Sequence, residues 1–166
     1  DLVSLVDAGR DERRILAEVW RQSEIACYNC TTVHLFPNYF SIVVPNTVLG
    51  HSSMVFMIES QIGYIRDAIR TLRVHEYAAV EPRRDAQDAW NTDLQRRMKR
   101  TVWNTGGCSS WYLDEHGNNR VLWGGYTWQY RLATRKLNTS EYRFWGGRAD
   151  TKTQLVAVPE VVAPQG

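Results

Sequence analysis

Apolar residues in this chain recur at two kinds of spacing. Between 52 and 73, Met54, Ile58, Ile62, Ile65, Ile69 and Leu72 step by three and four, as one face of a helix requires. Glu59, Arg66, Asp67 and Arg70 lie largely off that stripe, so a helix over 52–73 is predicted, with Glu59 solvated or ion-paired. A helix over 83–100 follows from Trp90, Leu94 and Met98 at every fourth position. A helix over 12–23, capped by Asp11, follows from Ile15, Leu16, Val19 and Trp20 on one face. By contrast, residues 39–44 are an almost unbroken apolar run, read as a strand buried on both faces. Short strands are expected over 1–7 and within 74–81. Residues 29–38 read as irregular, with a turn at Phe36-Pro37-Asn38. Residues 109–131 read as β. There, Trp111-Tyr112-Leu113 and Val121-Leu122-Trp123 flank the turn-forming Asp114-Glu115-His116-Gly117-Asn118-Asn119, and Tyr126 to Tyr130 continue as an aromatic strand. From about 150 the periodicity stops, and a disordered or loosely packed tail is expected. The pattern is that of an α/β chain, mixed α+β when taken alone.

The stretch 45–59 carries the most chemistry. Pro45, Asn46, Thr47 and Gly50 break the apolar run, and Ser52 or Ser53 can cap the helix that follows. The first-turn amides of such a helix are unpaired and carry the positive end of its dipole, which favours anions. In open α/β sheets, ligands gather at such strand ends.

Composition narrows the classes. The chain has 166 residues, 43% of them hydrophobic and 23% charged, with a net charge of +2. That suits a globular domain with a real core and gives no strong pull on polyanions. Arg96-Arg97-Met98-Lys99-Arg100 is basic, but the simplest reading is favourable charge at a helix C-terminus, so no nucleic-acid partner is expected. No apolar run reaches membrane-spanning length. The start does not look like a signal peptide, so no membrane partner is expected and the location is expected to be cytoplasmic. Three cysteines argue against a disulfide framework. Cys27-Tyr28-Asn29-Cys30 lacks the second pair or redox unit that would make it a metal or redox motif, so it reads as two reduced thiols and no metal site is assigned. Cys108 reads as a small hydrophobe.

Several blocks carry a family resemblance. They are Phe36-Pro37-Asn38-Tyr39-Phe40, Pro45-Asn46-Thr47 and the run from Gly50-His51-Ser52-Ser53 to Met57-Ile58-Glu59. To these are added Gly9-Arg10-Asp11 with Leu16 to Arg21, and Thr101 to Cys108 followed by Ser110 to Asp114. Together, over roughly residues 9–145, they resemble the C-terminal part of flavin-dependent Baeyer–Villiger-type monooxygenases, the hydroxyacetophenone monooxygenase group above all. The resemblance implies that 1–75 holds the last elements of a Rossmann-like FAD-binding domain. It implies a C-terminal helix and β-hairpin lobe over 76–148 and a tail over 149–166. By resemblance, Asn46, Thr47, Leu49, Ser53 and Met54 lie against the flavin of FAD, and Trp103 lies near the nicotinamide of NADP and the substrate. His51 reads as a surface group before it reads as a proton donor. No side-chain nucleophile is needed, because the flavin does the chemistry.

The same resemblance sets limits. A dinucleotide site needs a glycine turn opening a helix, and no G-x-G-x-x-G occurs here. The chain therefore resembles only the last third of such an enzyme. The expected partners are an N-terminal dinucleotide-binding portion, a small organic substrate and, through exposed core surface, another copy of itself. Alone it is expected to bind FAD weakly or not at all, and helix 52–73 is expected to pack on an incomplete sheet. Where the family pattern has glycine, this chain has Glu12, Cys30, Leu35, Val44 and Val48. Strain from β-branched side chains is expected at Val44 and Val48. Two readings follow: a segment of an FAD- and NADPH-dependent monooxygenase acting on a ketone or a heteroatom, or a diverged, non-catalytic remnant or small interaction module.

Overall fold

A computed structural model describes residues 4–6, 13–22, 25–43, 45–49, 53–101, 113–114 and 116–146, with the side chains of 4–6 and 13–15 excepted. Strand β1 (Ser4–Val6) pairs antiparallel with β2 (Arg13–Ile15), which runs directly into helix α1 (Leu16–Gln22). The long helix α2 (Met54–His75) follows, then β3 (Ala79–Pro82) and α3 (Arg84–Met98). A short helix α4 (Thr127–Ala133), a 3-10 turn (Thr139–Glu141) and β4 (Tyr142–Trp145) complete the described chain. β3 and β4 pair antiparallel, with Ala79 opposite Trp145 and Pro82 opposite Tyr142. The class is the mixed α/β expected.

Helix α2 packs through Met57, Ser60, Gln61, Tyr64 and Ala68, spaced by three and four. Much of this face is polar, and its polar groups are paired. Gln61 Nε2 donates to Cys30 O at 2.5 Å. Tyr64 OH accepts from Asn29 Nδ2 at 2.9 Å and meets Tyr142 OH at 2.8 Å. The helix ends where Glu76 turns left-handed (φ 56) and Tyr77 N reaches back to Leu72 O at 2.9 Å, satisfying carbonyls the helix leaves open.

The larger core gathers Leu16, Cys27, Cys30, Val33, Phe36, Met57, Leu94, Met98, Leu122, Trp123 and Tyr130. A smaller one joins Tyr28, Tyr64, Ala68, Val80, Leu137 and Tyr142. Asn38, in the turn expected at 36–38, acts as an extra edge residue for β3. Its N–H and side-chain oxygen exchange hydrogen bonds with Val80 at 2.9 and 3.0 Å. The turn expected near 114–119 is present: Gly117 N donates to Asp114 O, and Asp114 N to Asn118 O, both at 2.9 Å. Leu113 bridges Asn119 across it.

Four elements differ from expectation. Residues 39–43 form no strand; among the described residues no strand pairs with them, and Val43 adopts φ 57. The aromatic run 126–130 is not a strand: Thr127 to Ala133 are helical, because Tyr130 and Thr134 bury one side at a spacing of four. The helix expected from 12 starts at Leu16, since 13–15 are taken by β2. The stripe Met54, Ile58, Ile62, Ile65, Ile69 and Leu72 is not the face α2 buries: Ile62 is 50% exposed and Ile69 46%, and the other four are only half-buried. Residues 149–166, with the expected tail, lie outside the described residues.

Candidate functional site

The turn 45–49 is held from beneath by the C-terminal lobe. Asn46 N donates to Arg120 O and Val48 N to Val121 O, both at 3.1 Å, and Trp123 N returns a bond to Val48 O at 2.9 Å. Val48 and Leu122 form a parallel bridge. Asn46 turns left-handed at φ 62, a conformation asparagine tolerates better than other non-glycine residues. Its Nδ2 donates to Asn119 O at 2.7 Å and to Leu122 O at 3.1 Å. Gln95, on α3, joins the same clasp: its amide accepts from Asn119 N at 3.0 Å and donates to Asn119 O at 2.9 Å. Two buried thiols lie under the turn. Cys27 Sγ is 3.5 Å from Pro45 O and Cys30 Sγ 3.6 Å from Asn46 O. The hydrogen bond with the neighbouring Cys27 sulfur, and then burial, push the Cys30 thiol well above its usual range, which makes it inert rather than nucleophilic.

The candidate residues divide by this geometry. Asn46 and Thr47 are buried, at 1% and 0% exposure. Asn46 Nδ2 is spent on the lobe, so it shapes the turn, while its Oδ1 is buried with no hydrogen-bond partner among the described residues. Leu49 is partly buried against the larger core. Ser53 is exposed and sits at the N-cap of α2, but its side chain makes no capping hydrogen bond. Met54 opens the helix, whose first turn has no acidic residue. Neither the Ser53 side chain nor an acidic residue of that turn caps its amides, an arrangement that suits an acceptor from outside. Trp103 lies outside the described residues, as do Val44, Gly50, His51 and Ser52, so only the two ends of the 45–54 segment are placed. Strain does not fall on Val48, which keeps a bridging conformation. It falls on Cys30 (φ 50), Leu35 (φ 74) and Val43 (φ 57). Cys30 and Leu35 are two of the positions where the family pattern has glycine.

Other charged groups are engaged. Glu59 pairs with Arg131 at 3.7 Å, and that guanidinium lies 4.7 Å from the centre of the Phe56 ring. Arg97 pairs with Asp93 at 3.0 Å and stacks on Trp90 and Trp123. Arg96 also pairs with Asp93. Burial alone would raise the Asp114 carboxyl, but Arg120 at 2.8 Å and the amides of Asn118 and His116 outweigh it and hold Asp114 below the usual carboxylate range. Sequence reasoning missed Gln95 and Asn119, because a clasp made of ordinary amides far apart in the chain leaves no local pattern. Among the described residues no helix is long and apolar enough to cross a membrane.

Comparison with known proteins agrees with this architecture. No family model matches the sequence. A Baeyer-Villiger monooxygenase of Streptomyces coelicolor is 47% identical over 131 residues, covering 78% of this chain and 25% of the relative. A Baeyer-Villiger monooxygenase of Pseudomonas aeruginosa is 45% identical over 151 residues, 90% of this chain and 27% of the relative. Among solved structures, a closed cyclohexanone monooxygenase superposes with a TM-score of 0.69 at 20% identity, over 84% of this chain and 26% of the other. An oxidised steroid monooxygenase bound to NADP gives 0.68 at 22%, over 87% and 26%. The chain thus spans about a quarter of the length of the relatives it matches. In sequence and in fold, it belongs to the flavin-dependent Baeyer–Villiger monooxygenases, as the counterpart of a C-terminal portion of those enzymes.

Proposed function

We propose that this chain is the C-terminal portion of an FAD- and NADPH-dependent monooxygenase that places one oxygen atom from O2 into a ketone or onto a heteroatom. The observation that carries the reading is the second apolar face of α2. Val55, Ile62 and Ile69 are 62%, 50% and 46% exposed, at intervals of seven on one side of the helix. A helix buried along one side and apolar along the other suits burial between two bodies, and only one of them is present here. An N-terminal dinucleotide-binding portion is the fitting occupant, since the relatives are about four times as long as their match to this chain. Residues 1–75 would then complete the FAD-binding domain, and 76–148 would be the lobe that braces it. A cytoplasmic location goes with this reading.

The residues fit a flavin at one end. The first turn of α2, which contains no acidic residue, can donate to the electron-rich edge of a flavin ring. Its dipole favours the negative charge that reduction places there. Ser53 and Met54 would bind and orient, Leu49 would exclude water, and Asn46 and Thr47 would hold the turn from behind. Trp103 would face the nicotinamide and a small organic substrate. FAD, when bound, supplies the redox and oxygen chemistry.

A second reading has its own support. Cys30 and Leu35 hold left-handed backbone, where a side chain costs roughly 1–2 kcal/mol. Replaced glycines fit a diverged remnant without flavin. Intact mass of the native gene product, with its visible spectrum, separates the two. A product several times heavier with a flavin band is expected. A colourless product of this size would leave the remnant.

A further inference from the structure

A file of oxidisable rings runs from beneath the 45–49 turn toward the surface. Trp123, tied to the turn through Val48, stacks on Trp90 with centroids 6.2 Å apart and planes 18° apart. Trp90 meets Tyr28 edge-on at 6.1 Å. The Tyr28 hydroxyl donates to Glu141 Oε2, and Glu141 is only half-buried. We propose that Trp123, Trp90 and Tyr28, with Glu141 as proton acceptor, form a relay carrying a one-electron oxidising equivalent from the turn to the surface.

Three features give the relay its direction. Trp and Tyr are the side chains most easily oxidised by one electron among non-sulfur groups, and neighbouring rings here lie within the 4.5–7 Å range of ordinary aromatic contact. The Trp90 Nε1–H is buried with no nitrogen or oxygen acceptor among the described residues, and the neighbouring Cys30 sulfur is a weak one. A Trp90 radical cation therefore keeps its proton and passes the oxidation on. Arg97 lies over both indoles, 5.3 Å from the Trp123 ring and 5.9 Å from the Trp90 ring, and its charge disfavours a cation there. The carboxylate at the far end does the reverse. Tyr130, a side branch 5.2 Å from Trp123, donates to a backbone carbonyl, Asn29 O, which is no base.

The steps balance. An oxygen-derived radical, or a photo-oxidised metal complex in the test, takes one electron from Trp123. Trp90 refills Trp123, and Tyr28 refills Trp90. As Tyr28 gives up its electron, its hydroxyl proton moves to the Glu141 carboxylate, leaving a neutral phenoxyl radical and a carboxylic acid. A soluble thiol or ascorbate at the surface returns the electron, and the proton moves back. None of this requires flavin or a second polypeptide, so the relay can hold even if the monooxygenase reading fails.

The test is laser photo-oxidation of the purified chain by a ruthenium polypyridyl complex with a sacrificial quencher, read by transient absorption. Trp128, exposed on α4, is replaced in every sample (Trp128→Phe) to remove a direct target. A tryptophanyl signal that decays into a tyrosyl signal is expected. Trp90→Phe should lower the tyrosyl yield severalfold, and Glu141→Gln, which removes the proton acceptor, should slow tyrosyl formation severalfold. Should Trp90→Phe fail to fold, Glu141→Gln decides, because its carboxylate lies at the edge of the fold. Tyrosyl yield and rate unchanged in the folded variants would overturn the relay.

Discussion

The two long faces of α2 make the instructive contrast. One, through Met57, Ser60, Gln61, Tyr64 and Ala68, is buried although it is the less apolar. The other, through Val55, Ile58, Ile62, Ile65 and Ile69, is the more apolar and lies half-buried or open. Burial on the first side is set by specific partners: Cys30 O for Gln61, Asn29 and Tyr142 for Tyr64. Burial on the second side asks only for a complementary apolar surface. Hydrophobic periodicity therefore identifies where a helix could be covered, while hydrogen-bonding complementarity decides which side this chain covers itself.

The contrast can be broken from either side. Truncation on the closed face should cost most. Met57→Ala removes a fully buried side chain and should destabilise the chain by about 2–5 kcal/mol, read as a lower midpoint in urea. A loss below about 1 kcal/mol would mean that face is loosely packed. Backbone relief should come next. Leu35→Gly places glycine at φ 74 and should raise stability by about 1 kcal/mol, less any packing lost with the side chain. A clear loss would show that Leu35 packing outweighs its strain. The smallest effect belongs to the open face. Ile62→Gln with Ile69→Gln should change the stability of the chain alone by no more than about 0.5 kcal/mol, while lowering any self-association seen in sedimentation. A large destabilisation would mean the stripe is already covered.

Much of the architecture was legible because it is local. Helices over 52–73 and 83–100 follow from spacing and lie within two residues of α2 and α3 at each end. The Asp114 turn followed from its composition. What sequence could not show is non-local. The apolar run 39–44 reads as a strand, yet a strand needs a partner strand, and among the described residues 39–43 have none, Ser41 N donating instead to the loop carbonyl Thr31 O at 2.8 Å. Tyr126 to Tyr130 alternate like a strand, yet one buried side at a spacing of four makes them helical. The role of Asn46 depends on Asn119 and Leu122, more than seventy positions away. The glycine pattern did locate left-handed backbone at Cys30 and Leu35, but not at Val48, where the bridge to Leu122 holds an ordinary conformation.

The central claim is that the open face of α2 is a seam. Carbene footprinting of α2 side chains tests it, comparing this chain alone with the native gene product. The account predicts heavy labelling of Val55, Ile62 and Ile69 and little of Met57 and Tyr64 in the chain alone. In the native product, Ile62 and Ile69 should become protected while Met57 and Tyr64 stay as they were. Equal labelling of Ile62 and Ile69 in both samples would contradict the seam, and with it the proposed place of this chain in a larger enzyme.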